Sequence, residues 1–303
     1  MNVVLKNLLN NEESRKDNNS SPPFMRIRAE KQDRPLPWDL LEQQDIPYGD
    51  PSNELMANVV YPRNGGAKRL PVIVFVHGGA LVTGDRNSDR VFCQELARHG
   101  LVVYSIEYRL IDRADAFGMI SDVCAALAMV GVTLSHFGGD PHDVSICAES
   151  AGAFLSIYAA AAGVSERIRT LFGCRDYGIR ISHLILISGM IYTNKVNKVG
   201  LVFRKQLYED KRKDRDFMAQ IAPDNPQLLF LLPPIFLISS RADFLRSDTL
   251  KYRDVLDKYG HEYKLMYFDE GKELTHAFPA LLPSLPESMR AMDEICRWLC
   301  QVE

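Results

Sequence analysis

The chain has 303 residues, 46% of them hydrophobic, with a formal net charge of −3. That length holds one large domain or two smaller ones, with core enough to fold without disulfide or metal staples. The weakly acidic balance excludes a basic nucleic-acid-binding face, and six cysteines without a C-x-x-C pair (93, 124, 147, 174, 296 and 300) read as reduced thiols of a cytoplasmic protein.

Residues 1 to about 45 are polar and irregular, with an Asn/Ser cluster at 18–21 and prolines at 22, 23, 35 and 37. The N-terminus turns polar at Lys6, too soon for a signal peptide. Two readings of this arm stay open: a partly disordered tail, or a segment folded over an active site and anchored by Trp38, Leu40 and Leu41. Between Glu54 and Pro62, Leu55, Ala57 and Val59 alternate with more polar neighbours, which predicts a half-buried strand. Val72 to Val76 is a continuous β-branched and aromatic run, as in a strand covered on both faces. A helix follows Asp85, with Gly100 as its stop, and Leu101 to Ile106 is a second buried strand.

Asp115 to Leu134 predicts a long helix, Val144 to Ala148 a strand, Ser150 to Ala162 a helix and Leu184 to Ile187 a strand. Ile235 to Ile238 and Tyr263 to Phe268 are strands flanking a helix near Asp248 to Tyr259, and Met289, Met292, Cys296 and Leu299 recur at helical spacing. Strands alternating with helices predict parallel β-α-β units in a doubly wound α/β domain. Two stretches break the rhythm. Val164 to Arg180 is a basic-leaning insertion, and Met190 to Pro234 is far longer than a usual connection, so it predicts a lid with a solvated, charged middle at Gln206 to Arg215. No run approaches the roughly 18 apolar residues of a membrane span, so none is expected.

The chemistry centres on Ala148-Glu149-Ser150-Ala151-Gly152, where a predicted strand meets a predicted helix at a serine flanked by small residues. A strand-to-helix turn this sharp exposes one hydroxyl as a nucleophile, and only small side chains fit beside it. A serine needs a histidine to take its proton, and the histidine needs a carboxylate to hold its tautomer. In an open α/β sheet these partners lie beyond the carboxyl ends of strands. Asp243 follows one such strand and His276 another, whereas His261 precedes its strand and sits at the opposite edge. His99, His136, His142 and His183 fall at helix ends, loops or strand starts and read as surface or capping residues. Beyond Val76 stands His77-Gly78-Gly79-Ala80, a flexible turn able to approach a carbonyl oxygen. Gly79 and Gly84 have the gap of a phosphate-binding loop, but Asp85 stands where that loop needs lysine. No histidines and carboxylates have metal-ligand spacing, and no metal or organic cofactor is expected.

His77-Gly78-Gly79, Glu107-Tyr108-Arg109-Leu110, Gly138-Gly139-Asp140-Pro141, Glu149-Ser150-Ala151-Gly152, Asp243-Phe244-Leu245 and His276-Ala277-Phe278 occur in an order that resembles the hormone-sensitive-lipase-like branch of α/β-hydrolase carboxylesterases. The resemblance covers roughly Asp45 to Cys300. It implies an α/β-hydrolase fold with a mostly parallel sheet: an arm at 1–45, and a catalytic domain at 46–303 with its lid at about 190–234. It also implies catalytic Ser150, Asp243 and His276, an oxyanion hole from the N–H groups of Gly79, Ala80 and Ala151, and Tyr108-Arg109 as support beneath the site. Ala80 and Ala148 stand where the branch has glycine, and Ile111-Asp112 where it has Pro-Glu. The expected activity is hydrolysis of small-molecule esters with short or medium acyl groups. His-Gly-Gly-Ala also resembles kynurenine formamidases, which keeps amides open, and a non-catalytic receptor on the same fold is a third reading. A homodimer is left open.

Overall fold

The uninterrupted apolar runs at Val72 and at Leu184 lie inside an eight-stranded sheet covered on both faces. The computed structural model describes residues 28–64, 68–194 and 198–300. The strands are β1 (Leu40–Pro47), β2 (Met56–Pro62), β3 (Leu70–Val76), β4 (Val102–Ile106), β5 (Gly139–Glu149), β6 (Ile181–Ile187), β7 (Ile235–Ser240) and β8 (Tyr263–Phe268). Their order in the sheet is β1-β2-β4-β3-β5-β6-β7-β8, parallel from β4 to β8 and antiparallel where β2 meets β1 and β4.

The helices are α1 (Arg90–Arg98), α2 (Ala116–Thr133), α3 (Ala151–Val164), α4 (Glu166–Phe172), α5 (Lys198–Tyr208), α6 (Arg215–Gln220), α7 (Pro226–Leu229), α8 (Arg246–Tyr259), α9 (Phe278–Leu281) and α10 (Pro286–Cys300). Successive side chains along a strand point to opposite faces, so each core strand divides its apolar residues between two layers. Val72, Val74, Ile146 and Leu186 face a layer containing α2, α3, α4 and α8, while Ile73, Phe75, Cys147 and Ile185 face α1, α9 and α10. Local chemistry sets the helix ends. The Asp115 side chain accepts from Gly118 N–H at the start of α2, and Gly260 (φ 62°) closes α8 in the left-handed conformation that a side chain disfavours.

Two regions differ from the sequence expectation. Leu40 to Asp45, read as part of the arm, belong to β1, an edge strand whose polar Glu42, Gln43 and Gln44 conceal the alternation. Its pairing with β2 shifts between Gln43 and Ile46, where Asp45 has φ 60° and the Asn58 side chain accepts its N–H. Of the three proposed anchors only Leu40 is buried; Trp38 is 82% exposed. The described residues before β1 run beside α1 and the α9–α10 corner, where Glu30 N–H donates to Leu281 O and the Gln32 side chain accepts from Val91 N–H. Residues 1–27, with most of the expected arm, lie outside the described residues.

The second correction concerns apolar length. Ala116–Phe137, with mean hydropathy 1.9, is long and apolar enough to cross a membrane by composition. Its apolarity has a local cause: Met119, Ile120, Val123, Leu127 and Val130 are fully buried against the sheet and α3. The insertion at 190–234 is helical. It carries α5, a 3₁₀ turn at Glu209–Lys213, α6 and α7, and it is seated on α2 to α4. Phe217 lies 5.7 Å from Phe117, Tyr208 lies 6.5 Å from Phe154, and Tyr158 OH donates to Ile221 O at 2.6 Å. Within the expected solvated middle, Gln206 to Arg215, the 3₁₀ turn at Glu209–Lys213 has no buried residue, whereas Leu207 and Tyr208 at the end of α5 are buried in the core.

Candidate active site

Ser150 occupies the turn between β5 and α3 at φ 49° and ψ −114°, a left-handed backbone that costs a residue with a Cβ about 1–3 kcal/mol. The surrounding chain holds it there. Ser150 N–H donates to Ile187 O at 2.9 Å, and its carbonyl accepts from Met190 N–H at 2.8 Å and Ala153 N–H at 3.2 Å. A Cβ on Gly152 would fall 2.1 Å from Val76 O, because α3 begins directly on the end of β3. Ala148 is fully buried in the same turn, so a methyl group is tolerated two residues before the serine and excluded two residues after it.

The structure brings Ser150, His276 and Asp243 into one line. His276 Nε2 lies 2.7 Å from Ser150 Oγ, and His276 Nδ1 lies 2.7 Å from Asp243 Oδ1. The three come from different strand ends: Ser150 follows β5, Asp243 follows β7, and His276 lies in the loop after β8. All are buried, and Asp243 is wholly enclosed. Burial alone would raise the Asp243 carboxyl. The hydrogen bond and charge of His276, with the Leu245 N–H and the Ser239 hydroxyl, outweigh it and hold the group below the usual carboxylate range. Asp243 therefore stays ionised, accepts Nδ1–H, and leaves Nε2 free to accept the serine proton.

The turn after β3 reaches the same place, because Val76 pairs with Ala148 one strand over. Gly79, Ala80 and Leu81 have φ of 83°, 55° and 62°, so the chain keeps a left-handed turn although alanine replaces the third glycine. Among the described residues, the N–H groups of Gly79, Ala80 and Ala151 donate to no acceptor. Tyr108 OH contacts both His77 O (3.0 Å) and Gly78 O (2.9 Å), and its ring stacks on His77 at 4.4 Å. Burial lowers the His77 imidazole to about 4, so it is neutral and its Nδ1–H faces Gly78 O. Arg109 grips Asp122 of α2 through two 2.8 Å hydrogen bonds, fixing the Tyr108 segment from below.

Beneath this turn are two buried acids. Glu149 accepts Gly78 N–H at 2.6 Å, and among the described residues neither oxygen of Asp89 has a hydrogen-bond partner. Desolvation, with the charge of Asp85, pushes Asp89 from 3.8 up to about 7. The folded protein thus keeps this proton in a range where the unfolded chain releases it. The group's contribution to stability is complete below about 3.8 and is lost as pH rises through about 7. Asp89→Asn is expected to raise the melting temperature at about pH 8 and to leave it almost unchanged at about pH 4. An equal shift at both pH values, by calorimetry, would exclude the buried carboxyl as the cause.

The rival histidines stay away. His261 contacts Pro233 O at the opposite edge of the sheet, His99 pairs with Asp293, and His183 and His142 line a groove below β5 and β6. Asp269 lies near Arg241 on the exposed surface. Sequence reasoning missed the supports. Ser239 donates to Asp243 Oδ2 at 2.8 Å, Ser240 Oγ donates to Leu274 O, and Ser188 Oγ accepts the N–H of Ala277, next to His276. The only signal was position, since each serine ends an apolar strand on the side of the nucleophile. Phe244, given no role by the sequence, has an exposed ring that lies over His276 with centroids 4.2 Å apart and planes tilted by 31°.

Comparison with known proteins extends this picture. Residues 58–243 match the BD-FAE family model. The chain is 27% identical over 254 residues to a probable isoprenylcysteine alpha-carbonyl methylesterase, ICMEL1, of Arabidopsis thaliana, covering 78% of this chain and 51% of the relative. It is 36% identical over 117 residues to phenmedipham hydrolase of Pseudarthrobacter oxydans, covering 35% of this chain and 24% of that one. The chain spans about half the length of the curated methylesterases it matches. Esterase B from Lactobacillus rhamnosis superposes with a TM-score of 0.79 at 23% identity, covering 89% of this chain and 88% of that one. A bacterial heroin esterase superposes with a TM-score of 0.67 at 23% identity, over 86% and 83% of the two chains. These likenesses show the α/β-hydrolase fold.

Proposed function

The chain belongs to the BD-FAE family, and from that premise we propose that it is a serine hydrolase cleaving carboxylic esters with short or medium acyl groups through an acyl-enzyme on Ser150. The observation that carries the reading is the unbroken Asp243–His276–Ser150 hydrogen-bond line. Ser150 Oγ attacks the carbonyl carbon while Nε2 takes its proton. The N–H groups of Gly79, Ala80 and Ala151 receive the oxyanion, each such donor contributing about 10² to 10³ in rate. The imidazolium then protonates the leaving alcohol, and water repeats the sequence in reverse to free the acid. Asp243 holds the tautomer and stabilises the transient charge. The methylesterase relatives support an ester as substrate, and the bond from Met190 N–H to Ser150 O, where the insertion at 190–234 begins, supports a role for the insertion as a wall of the pocket. A reducing, cytoplasmic setting is part of the same reading, supported by six free cysteines.

The test pairs a fluorophosphonate probe with p-nitrophenyl esters of graded acyl length and an aryl formamide. Labelling is expected on Ser150, with acetyl and butyryl esters the best substrates. Faster turnover of the formamide would replace the ester by an amide as the substrate class. Absence of labelling on the folded protein would sink hydrolysis altogether and favour a receptor.

A further inference from the structure

Glu149 takes no part in the proton relay just described, yet it lies between the two halves of the site. Its backbone ends β5 immediately before Ser150. Its carboxyl reaches across to the neighbouring strand end, where Oε1 accepts the N–H of Gly78, the residue before the proposed oxyanion donors. The fit is close: a Cβ on Gly78 would lie 2.2 Å from that oxygen. The Gly78 peptide is held from the other side too, since Tyr108 OH lies 2.9 Å from its carbonyl. Glu149 is buried, and among the described residues it has no ion pair. The charged groups acting on it are acids, Asp89 and Asp243.

A buried carboxylate without a cation is a poor stabilising element, because desolvation opposes its charge. The same carboxyl in neutral form is a good one, since its carbonyl oxygen still accepts Gly78 N–H. Burial raises the Glu149 carboxyl well above its ordinary range, in keeping with this. The consequence reaches catalysis by geometry. Hydrogen-bond donors act on a developing oxyanion only when held at about 2.7–3.1 Å from it, with no reorganisation left to make. A left-handed run through Gly79, Ala80 and Leu81 is strained, and a strained turn persists only if its surroundings over-determine it.

We propose that Glu149 is a positioning residue for the oxyanion turn, tying the Gly78 peptide to the nucleophile strand through an acceptor oxygen rather than through negative charge. The proposal rests on the serine-hydrolase reading for its catalytic consequence, but its structural core, the Gly78 N–H bond, can be measured independently.

The experiment compares Glu149→Gln, which keeps an acceptor oxygen, with Glu149→Met, which keeps the volume and removes the acceptor. Three quantities are read: hydrolysis of p-nitrophenyl butyrate, inhibition by a trifluoromethyl ketone that forms a tetrahedral oxyanion on the serine, and amide hydrogen exchange over residues 77–81. Glu149→Met is expected to lower kcat by about 10- to 100-fold with KM changed less than about twofold, a partial loss of one donor's worth. The inhibitor should weaken by a similar factor and exchange at Gly78 should quicken. Glu149→Gln should stay within about threefold of the parent in all three. A folded Glu149→Met protein with unchanged kcat, inhibition and exchange would overturn the proposal. So would a Glu149→Gln variant as impaired as Glu149→Met, which would show that charge is needed. Should Glu149→Met not fold, Glu149→Gln and Tyr108→Phe decide. Loss of the Tyr108 hydroxyl, the opposite clamp, should then lower kcat without raising KM. A parent protein inactive on every ester refutes the functional reading instead, while the exchange difference still tests the clamp.

Discussion

Ser150→Ala is expected to lower kcat for p-nitrophenyl butyrate by about 10⁶-fold. Removing one oxygen deletes the nucleophile, and His276 then has no partner to deprotonate except water. The remaining acceleration comes from binding and from the N–H groups of the oxyanion turn, about 10³ to 10⁴ over water. The fold should be indifferent to the change. The strain at φ 49° belongs to any residue with a Cβ, so alanine neither adds to it nor relieves it, and among the described residues the serine hydroxyl's only partner is His276 Nε2. An unchanged melting temperature with activity lost would place the effect on the chemistry. Retained hydrolysis in pure Ser150→Ala protein would remove Ser150 from the mechanism.

Asp243→Ala is expected to cost about 10⁴-fold in kcat, less than loss of the serine because His276 can still act as a base in part of its population. Without the carboxylate, nothing selects the tautomer that leaves Nε2 unprotonated, and the imidazolium formed in the transition state loses its counter-charge. Asp243→Asn should be milder than Ala, for a reason particular to this site. Oδ1 accepts from both Leu245 N–H and His276, whereas Oδ2 faces the Ser239 hydroxyl, which can rotate to accept instead of donate. The amide therefore turns its NH₂ toward Ser239 and keeps its oxygen toward His276. The tautomer survives and only the charge is lost. Steady-state kinetics should give the order parent, Asn, Ala; an Asn variant worse than Ala would mean the amide had turned the other way. Asp243→Ala should also melt earlier, because the Leu245 N–H and the Ser239 hydroxyl both lose their acceptor.

What could be read from the chain was mainly what repeats along it. The runs at Val72, Leu184 and Ile235 are apolar at every position, and those at Leu101 and Val144 at all but one, because both sheet faces are covered; β3 to β7 lie where that pattern put them, and β2 where alternation did. β1 was not legible, for the complementary reason: an edge strand covered on one face, with a shift at Asp45, needs neither continuous apolarity nor strict alternation. Ala116–Phe137 shows the limit of composition, since a helix covered by sheet on one side and helices on the other is as apolar as one made for lipid.

The residues able to carry proton-transfer chemistry are legible along the chain. A serine between small residues, an aspartate and a histidine each follow a buried strand, and the carboxyl ends of parallel strands lie at one edge of a sheet. Strand order decides which of these ends are neighbours, and that is a property of long-range pairing that no local window contains. Long-range pairing alone makes β3 and β5 neighbours, so that Glu149 reaches Gly78. The same pairing brings the ends of β6, β7 and β8 together, so that Ser188 just after β6 and Ser239 near the end of β7 brace the loops of His276 and Asp243. These braces are ordinary serines and an ordinary glutamate in sequence. They differ from others of their kind only in what packs against them, because hydrogen-bond partners separated by tens of residues are chosen by the fold.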